Sequence, residues 1–415
     1  MPRPSWARSA AAGSVAIMTT VSGPRVAVDW FAPVLGMDGF VDYSTRLARG
    51  LAAATPTTAF SPDHPRWAPE VLEDVAAVER VTVAEATSRT ERTAHWYDDE
   101  LPRALEHAAD DIDVVWAPAF FLPDPSPVPR VLTAHDLAFV HHPDRFSPEN
   151  RALYVDRGRP DAERADAVLA ISESTARDVV ELWGVDPARV VVTLLGPTVE
   201  VGDVDREASR ARAVQRLGLP AGGRFVVAVS PTHWRKNLRL VVREHQLLPV
   251  DLRRELPLVL VNADEPQTHQ ILGEEGRDAV VVLGRVDDDA LRDLVAGAVA
   301  LLHGSSLEGF GLPALNAMAL GTPLVANDAP SLSEVGAGAA RFVHIVERGS
   351  MAAAVAEVAQ DGALAARLSA AGLRRAADFD WATTTARTLT TLRDVAAGSL
   401  PSLSVAAGRQ PAGES

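Results

Sequence analysis

The chain has 415 residues, 47% of them hydrophobic and 23% charged, an ordinary balance for a globular protein long enough for two or three domains. It carries no cysteine, which excludes disulfides, thiolate metal ligands and a cysteine nucleophile, and which fits a cytoplasmic protein. The net charge of −15 excludes general attraction to nucleic acid or anionic membrane, so a bound anion needs a local basic cluster.

No apolar run reaches the ~18 residues of a membrane span. Residues 1–23 read as a disordered leader rather than a signal peptide, because Gly13, Ser14 and Thr19–Thr20 interrupt the mildly apolar Ala10–Val21; Met18 is an alternative start. Val26–Trp30 is then a short strand. It ends at a loop with Gly36, Asp38 and Gly39, followed by a helix to about Ala54. Gly36-Met37-Asp38-Gly39 lacks the third glycine of a dinucleotide fingerprint, and reads instead as a short glycine loop facing a cleft. Strands follow at Val114–Trp116, Arg130–Ala134 and Ala167–Ile171, then a helix from an N-capping Ser172 to about Trp183 and a strand at Val190–Leu195. Four- to six-residue strands alternating with helices imply parallel βαβ units. His135-Asp136 sits where a strand ends, and its reading is balanced between a loop His with a capping Asp and a hydrogen-bond donor to a sugar oxygen. His141-His142 has no partner at metal-ligand spacing and reads as loop.

The pattern weakens over 198–222, where a short charged helix is followed by Gly218, Pro220, Gly222 and Gly223. The linker between domains is placed there. The rhythm restarts with strands at Phe225–Val229, Leu258–Val261, Val280–Leu283, Ala298–Leu302, Pro323–Ala326 and Arg341–Val343. Asp380–Ala396 is a last helix, and 399–415 reads as a disordered tail. The expected architecture is thus α/β, with two doubly wound Rossmann-like domains (24–197 and 223–380) facing across a cleft and a final helix over 381–398. Ligands of such sheets bind at the carboxyl ends of the strands.

Chemistry gathers at those ends in the second half. Arg235-Lys236 follows a buried strand and can neutralise a diphosphate with a fork and a point charge. Glu308-Gly309-Phe310-Gly311-Leu312-Pro313 turns sharply into a helix, whose unpaired N–H groups suit an anion. A carboxylate there repels phosphate, so Glu308 is assigned to sugar hydroxyls. Ser331-Leu332-Ser333-Glu334 reads as a capping box, with Ser331 at the N-cap and Glu334 at N3.

These motifs resemble, in order and spacing, the retaining GT-B glycosyltransferases of family 4, the group 1 glycosyl transferases. Val229-Ser230 through Arg235-Lys236-Asn237-Leu238 resembles that family's diphosphate loop. Leu283-Gly284-Arg285-Val286 resembles the loop framing the base, and Glu308-Gly309-Phe310-Gly311-Leu312-Pro313 the start of its E-x7-E motif. Gly321–Ala326, Ser333-Glu334-Val335, Thr133–Leu137, Ile171–Thr175 and Asp380-Trp381 continue the likeness, which covers roughly 25–396. Two positions depart from the pattern. Asn316 stands where the second acid is expected, and Ser230 where many relatives carry arginine.

The resemblance implies a GT-B fold, with the final helix crossing back to the N-terminal domain, and retaining, metal-independent transfer of a hexose from a nucleoside-diphosphate sugar to a hydroxyl acceptor. The sugar nucleotide is a co-substrate, no cofactor is implied, and GDP-sugar, GDP-mannose above all, is favoured over UDP-sugar from the His135 to Phe146 region. The product would belong to glycan, glycolipid or natural-product biosynthesis. Catalytic roles fall to His135 and Glu308. Diphosphate binding falls to Arg235, Lys236, Gly309, Phe310, Gly311 and Leu312, ribose and base binding to Asn316, Arg285 and Val286, and the acceptor side to Gly36, Asp38 and Gly39. As a neutral amide Asn316 is expected to weaken donor binding about tenfold without loss of chemistry. The competing readings are a degenerate nucleotide-sugar-binding or partner protein, which Asn316 motivates, and a GT-B sugar-nucleotide epimerase, for which no convincing acid/base pair is present.

Overall fold

The computed structural model describes residues 23–31, 38–63, 77–84, 86, 88–199, 204–219, 223–230, 233–263, 266, 268 and 278–399. The expectations for the leader, for Gly36 and for the tail from 400 on lie outside the described residues. Two compact units are present. Of the described residues, one takes those up to Ile171, Thr175–Thr193 and those from Thr384; the other takes Ser172–Ser174 and those from Leu194 to Thr383.

The first unit is built on seven parallel strands: β1 (Val26–Asp29), β2 (Thr57–Asp63), β3 (Ala77–Thr82), β4 (Val114–Ala117), β5 (Arg130–Ala134), β6 (Ala167–Ala170) and β7 (Val190–Val192). They lie in the order β3-β2-β1-β4-β5-β6-β7. Helix α1 (Asp38–Ala54) follows β1, and α2 (Glu173–Trp183) starts directly after Ser172, as expected. Strands β1, β4 and β6 are buried along their whole length, which is why they read as continuous apolar runs. Sequence reasoning did not find β2 and β3. β2 contains Pro62, and β3 (Ala77-Val78-Glu79-Arg80-Val81-Thr82) is an edge strand whose charges face outward. The core of this unit is rich in aromatic rings, among them Trp96, Trp116, Trp183, Tyr43 and Phe31.

The second unit holds six parallel strands: β8 (Val226–Val229), β9 (Leu258–Val261), β10 (Val280–Val282), β11 (Leu301–His303), β12 (Leu324–Asn327) and β13 (Ala340–Val343), in the order β10-β9-β8-β11-β12-β13. Strand β11 starts three residues later than Ala298, because the helix before it runs on to Gly297 and Ala298 caps it. The order reverses between β8 and β11. That switch point is where an open parallel sheet receives its ligand, outside the carboxyl ends of those two strands.

Residues 198–222, expected as a linker, carry α3 (Arg206–Leu217), capped by Asp205 at one end and by left-handed Gly218 at the other. The helix packs on α4 (Asp288–Gly297) and belongs to the second unit. The last helix, Trp381–Ala396, begins in the second unit and passes into the first at Thr384.

Candidate functional site

Two loops meet at the switch point of the second sheet. The first leaves β8 and makes a turn at Trp234–Lys236, ending at Asn237 in the left-handed region with φ 51°. Asn tolerates that conformation better than branched residues do. The second leaves β11 and runs to α5 (Leu312–Ala319). Hydrogen bonds stitch the loops together: Asn237 Nδ2 donates to the Gly304 carbonyl at 2.9 Å, and Ser306 N to the Arg235 carbonyl at 2.9 Å. Asn327 Nδ2, from the end of β12, donates to the Ser305 carbonyl at 3.0 Å.

Lys236 and Glu308 form an ion pair within this frame, Lys236 Nζ donating to Glu308 Oε1. His303, the last residue of β11, brings its Nε2 to the same oxygen at 3.0 Å. An ionised carboxylate only accepts, so Nε2 carries the proton. Burial alone would raise the Glu308 carboxyl, but Lys236, His303 and Arg235 outweigh it and hold the group well below the usual carboxylate range. Lys236 keeps two further N–H donors beyond the one given to Glu308.

Helix α5 begins beside this cluster. Gly311 is its N-cap, with φ +101°, a backbone conformation that requires glycine, and a Cβ there would also lie 2.6 Å from Leu332 Cδ2. The N–H groups of Gly309, Phe310 and Gly311 take no partner among the described residues. Pro313, in the first turn, has no N–H to satisfy. The Phe310 side chain, however, is buried against Phe379 with ring centroids 5.8 Å apart. Its ring is core, which corrects the expectation of a diphosphate contact to its backbone alone.

Other expectations are also corrected. The Asn316 amide is turned to Thr198, accepting from its N–H at 2.8 Å and donating to its hydroxyl at 2.7 Å. Each end of the amide thus makes one contact within the chain itself. The capping box is not formed. Pro330 starts α6 (Pro330–Gly336) with Ala329 at the N-cap, so Ser331 lies inside the helix, and its hydroxyl donates to the Glu308 carbonyl at 2.7 Å. The Glu334 carboxylate accepts from the N–H groups of Glu173 and Ser174, which cluster with this unit. Arg285 is exposed and Val286 half-buried, on the loop after β10, two strands from β8 in the same sheet.

His135 lies in the first unit, just past β5. Its Nε2 meets the Pro118 carbonyl at 2.8 Å, and Tyr43 stands edge-on to the ring. Burial pushes its pKa down to about 4. A neutral ring whose one N–H is given to a carbonyl has only an acceptor at Nδ1. The expected hydrogen-bond donor to a sugar oxygen is therefore not available in this state. Asp136 Oδ1 accepts from Ala138 N in a local turn, and Asp38 and Gly39 open α1. His141 pairs with Asp178 at 2.7 Å. No described helix is long and apolar enough to cross a membrane.

Sequence reasoning missed His303, Asn327 and Ser331 as parts of this site. His303 carried one signal, a polar residue closing an otherwise apolar strand five positions before Glu308.

Residues 209–375 match the family model "Glycosyl transferases group 1", and 37–196 match "Glycosyltransferase Family 4". The chain is 26% identical to O-antigen chain mannosyltransferase B of Escherichia coli over 264 residues, 62% of this chain and 68% of that protein. It is 30% identical to the serotype-specific mannosyltransferase WbdA of the same organism over 63% of this chain, but spans only 33% of that relative's length. It is 31% identical to a D-inositol 3-phosphate glycosyltransferase of Thermobispora bispora, over 63% of this chain and 64% of that one. Among solved structures, the glycosyltransferase WaaG superposes with a TM-score of 0.68 at 16% identity, covering 88% of this chain and 99% of that one. Anabaena HepE in complex with UDP and glucose superposes at 0.66 and 18% identity, covering 89% of this chain and 99% of that one; at such identities the likeness concerns the fold.

Proposed function

Because this chain belongs to the GT-B glycosyltransferases of group 1 and family 4, we propose that it transfers a hexose from a nucleoside-diphosphate sugar to a hydroxyl acceptor with retention at the anomeric carbon. The observation that carries the reading is the Lys236–Glu308–His303 cluster at the β8/β11 switch point, beside the unpartnered N–H groups of 309–311. Cations and backbone dipoles there match the diphosphate, and a carboxylate held well below the usual carboxylate range matches the sugar hydroxyls.

In this reading Arg235, Lys236 and the start of α5 stabilise charge as it develops on the leaving diphosphate, without recourse to a metal. The bond from the anomeric carbon to the phosphate oxygen breaks. The acceptor oxygen bonds to the same face of that carbon, and its proton passes to the departing phosphate oxygen. Glu308 orients the donor sugar throughout. His135, held neutral, acts as an acceptor and not as an acid. Mannose and GDP are the favoured sugar and nucleotide, the sugar supported by mannosyltransferases among the relatives.

Thermal stabilisation with GDP, UDP and dTDP tests the donor site, with the largest shift expected from GDP; no shift with any of them removes the reading. Arg235→Ala and Lys236→Ala are each expected to lower turnover at least about tenfold in protein whose circular dichroism is native. Near-normal turnover in both variants would refute the assignment. The non-transferring alternative draws on Asn316, whose amide is committed to Thr198. It predicts that Asn316→Glu creates activity where the wild type has none.

A further inference from the structure

The carbonyl of Glu308 and one of its two carboxylate oxygens are tied down. Its carbonyl accepts from Ser331 Oγ at 2.7 Å. The chain leading to it is pinned at the Gly304 and Ser305 carbonyls and at Ser306 N. That fixes the backbone but not the carboxylate, because the terminal torsion of a glutamate is broad and roughly two-fold. A single donor would leave the two oxygens interchangeable by rotation. Here two donors from different elements, Lys236 and His303, converge on Oε1, which uses both of its lone pairs. Oε2 takes no partner among the described residues.

His303 is suited to holding rather than reacting. Its side chain is only 3% exposed. It closes β11, paired in register with Ala326 of β12. The space beside it, lined by Ser230, Lys236, Gly304 and Ser305, is about 10 Å³. By that measure it admits about one water.

We propose that His303 is a positioning residue that, together with Lys236, commits Glu308 Oε1 to the protein and so presents Oε2 alone to the hydroxyls of the donor hexose. The inference rests on the reading of this site as a nucleotide-sugar site, and adds the residue that sets its recognition of the sugar half. Lys236 alone has two roles, toward Glu308 and toward phosphate. His303 has only the first, so its loss separates sugar recognition from nucleotide recognition.

The test is titration calorimetry on the full chain with GDP against GDP-mannose and UDP against UDP-glucose, comparing the affinity that the sugar adds to each nucleotide. His303→Phe keeps a ring and removes the donor. It is expected to leave nucleoside-diphosphate affinity within about twofold and to cut the sugar increment, and kcat with it, about tenfold. His303→Gln, whose amide reaches where Nε2 was, is expected to restore most of both. In a Glu308→Gln background, His303→Phe is expected to add less than about twofold, since it acts through that carboxylate. If His303→Phe is recovered unfolded, His303→Asn, too short to reach Oε1, takes its place. An unchanged sugar increment, equal losses for nucleotide and sugar nucleotide, or an undiminished effect in the Glu308→Gln background each overturns the proposal while leaving the donor site standing. A wild type that binds none of the four ligands overturns both.

Discussion

Asp29 ends β1 and His135 follows β5, and both are buried among the aromatic side chains of the first unit. Asp29 Oδ1 accepts from Trp96 Nε1 at 2.9 Å and Phe31 N at 3.0 Å, and its Oδ2 from the Tyr97 hydroxyl at 2.6 Å. Burial outweighs those three donors and pushes its pKa from 3.8 up to about 6. Burial likewise pushes His135 from 6.5 down to about 4. The two shifts have opposite linkage. For His135 the unfolded chain binds more protons, so its contribution is full above 6.5 and is lost as pH falls toward 4. For Asp29 the folded chain holds the proton longer, so its contribution is full below 3.8 and is lost as pH rises through 6. Between these limits each changes stability by about 1 kcal/mol per pH unit, with opposite signs, and the two nearly cancel. Removing one exposes the other. Relative to wild type, Asp29→Asn is expected to gain stability by about 1 kcal/mol per pH unit as pH rises from about 4 to about 6, and His135→Gln to lose it at a similar rate. Urea denaturation across that range checks both, and parallel pH profiles for the variants and wild type would show that neither group titrates as described. None of this was legible in the sequence. Asp29 read as the end of an apolar strand, and the neutral state of His135 is set by burial that exists only in the folded chain.

At the scale of elements, the second unit is held at its edge by the pairing of α3 with α4. Arg206 caps the end of α4 through the Ala296 and Ala298 carbonyls, each at 2.8 Å, and Arg210 through the Gly297 carbonyl at 2.9 Å. Burial lowers the pKa of Arg206 to about 10. Arg212 adds two contacts of 2.7 Å to Asp293. The helices approach so closely that a Cβ on Gly297 would lie 2.6 Å from Arg210 Cα and 2.8 Å from Arg210 N. Helix propensity alone predicts that Gly297→Ala stabilises by up to about 1 kcal/mol. The clash is with backbone, which cannot swing aside, so overpacking of about 1–3 kcal/mol decides the sign. Gly297→Ala is expected to lower the denaturant midpoint of this unit; a raised midpoint would mean the helices separate freely. The charged sequence of α3 and its glycine-rich exit made 198–222 resemble a linker, because the arginines that bind carbonyls of α4 look the same in sequence as arginines in water. Most strands were legible for the opposite reason. A strand buried on both faces, such as β5 or β9, is a short apolar run whatever its partners, whereas edge strand β3 keeps its charges and gives no such signal. Arg235-Lys236 and Glu308 were legible as candidates because their chemistry sits at strand ends. Asn316 and Ser331 were not, since their hydrogen-bond partners are 118 and 23 residues away.

For the molecule as a whole, the division into two units, each with its own parallel sheet, bears on how binding and stability are linked. The residues assigned to the donor nucleotide, from Arg235 to Leu312, all belong to the second unit, and none is contributed by the first sheet. A ligand that binds only the folded form of that unit stabilises it by RT ln(1 + [L]/Kd), about 2.7 kcal/mol at a hundredfold excess over Kd. Amides that exchange through opening of that unit then slow by about a hundredfold, while those whose opening leaves the site intact do not change. Hydrogen exchange in the presence of saturating GDP is therefore expected to show strong new protection in β8 and β11 and little in β1 and β5. The final helix makes the comparison sharper, because it runs through the boundary: Trp381 donates from Nε1 to the Pro197 carbonyl within the second unit, whereas Arg387 donates to the Val192 carbonyl within the first. The gain in protection should accordingly fall off along that helix beyond Thr384. Equal slowing in both sheets would instead mean that the units open together, and the nucleotide would then stabilise the whole chain as one cooperative body.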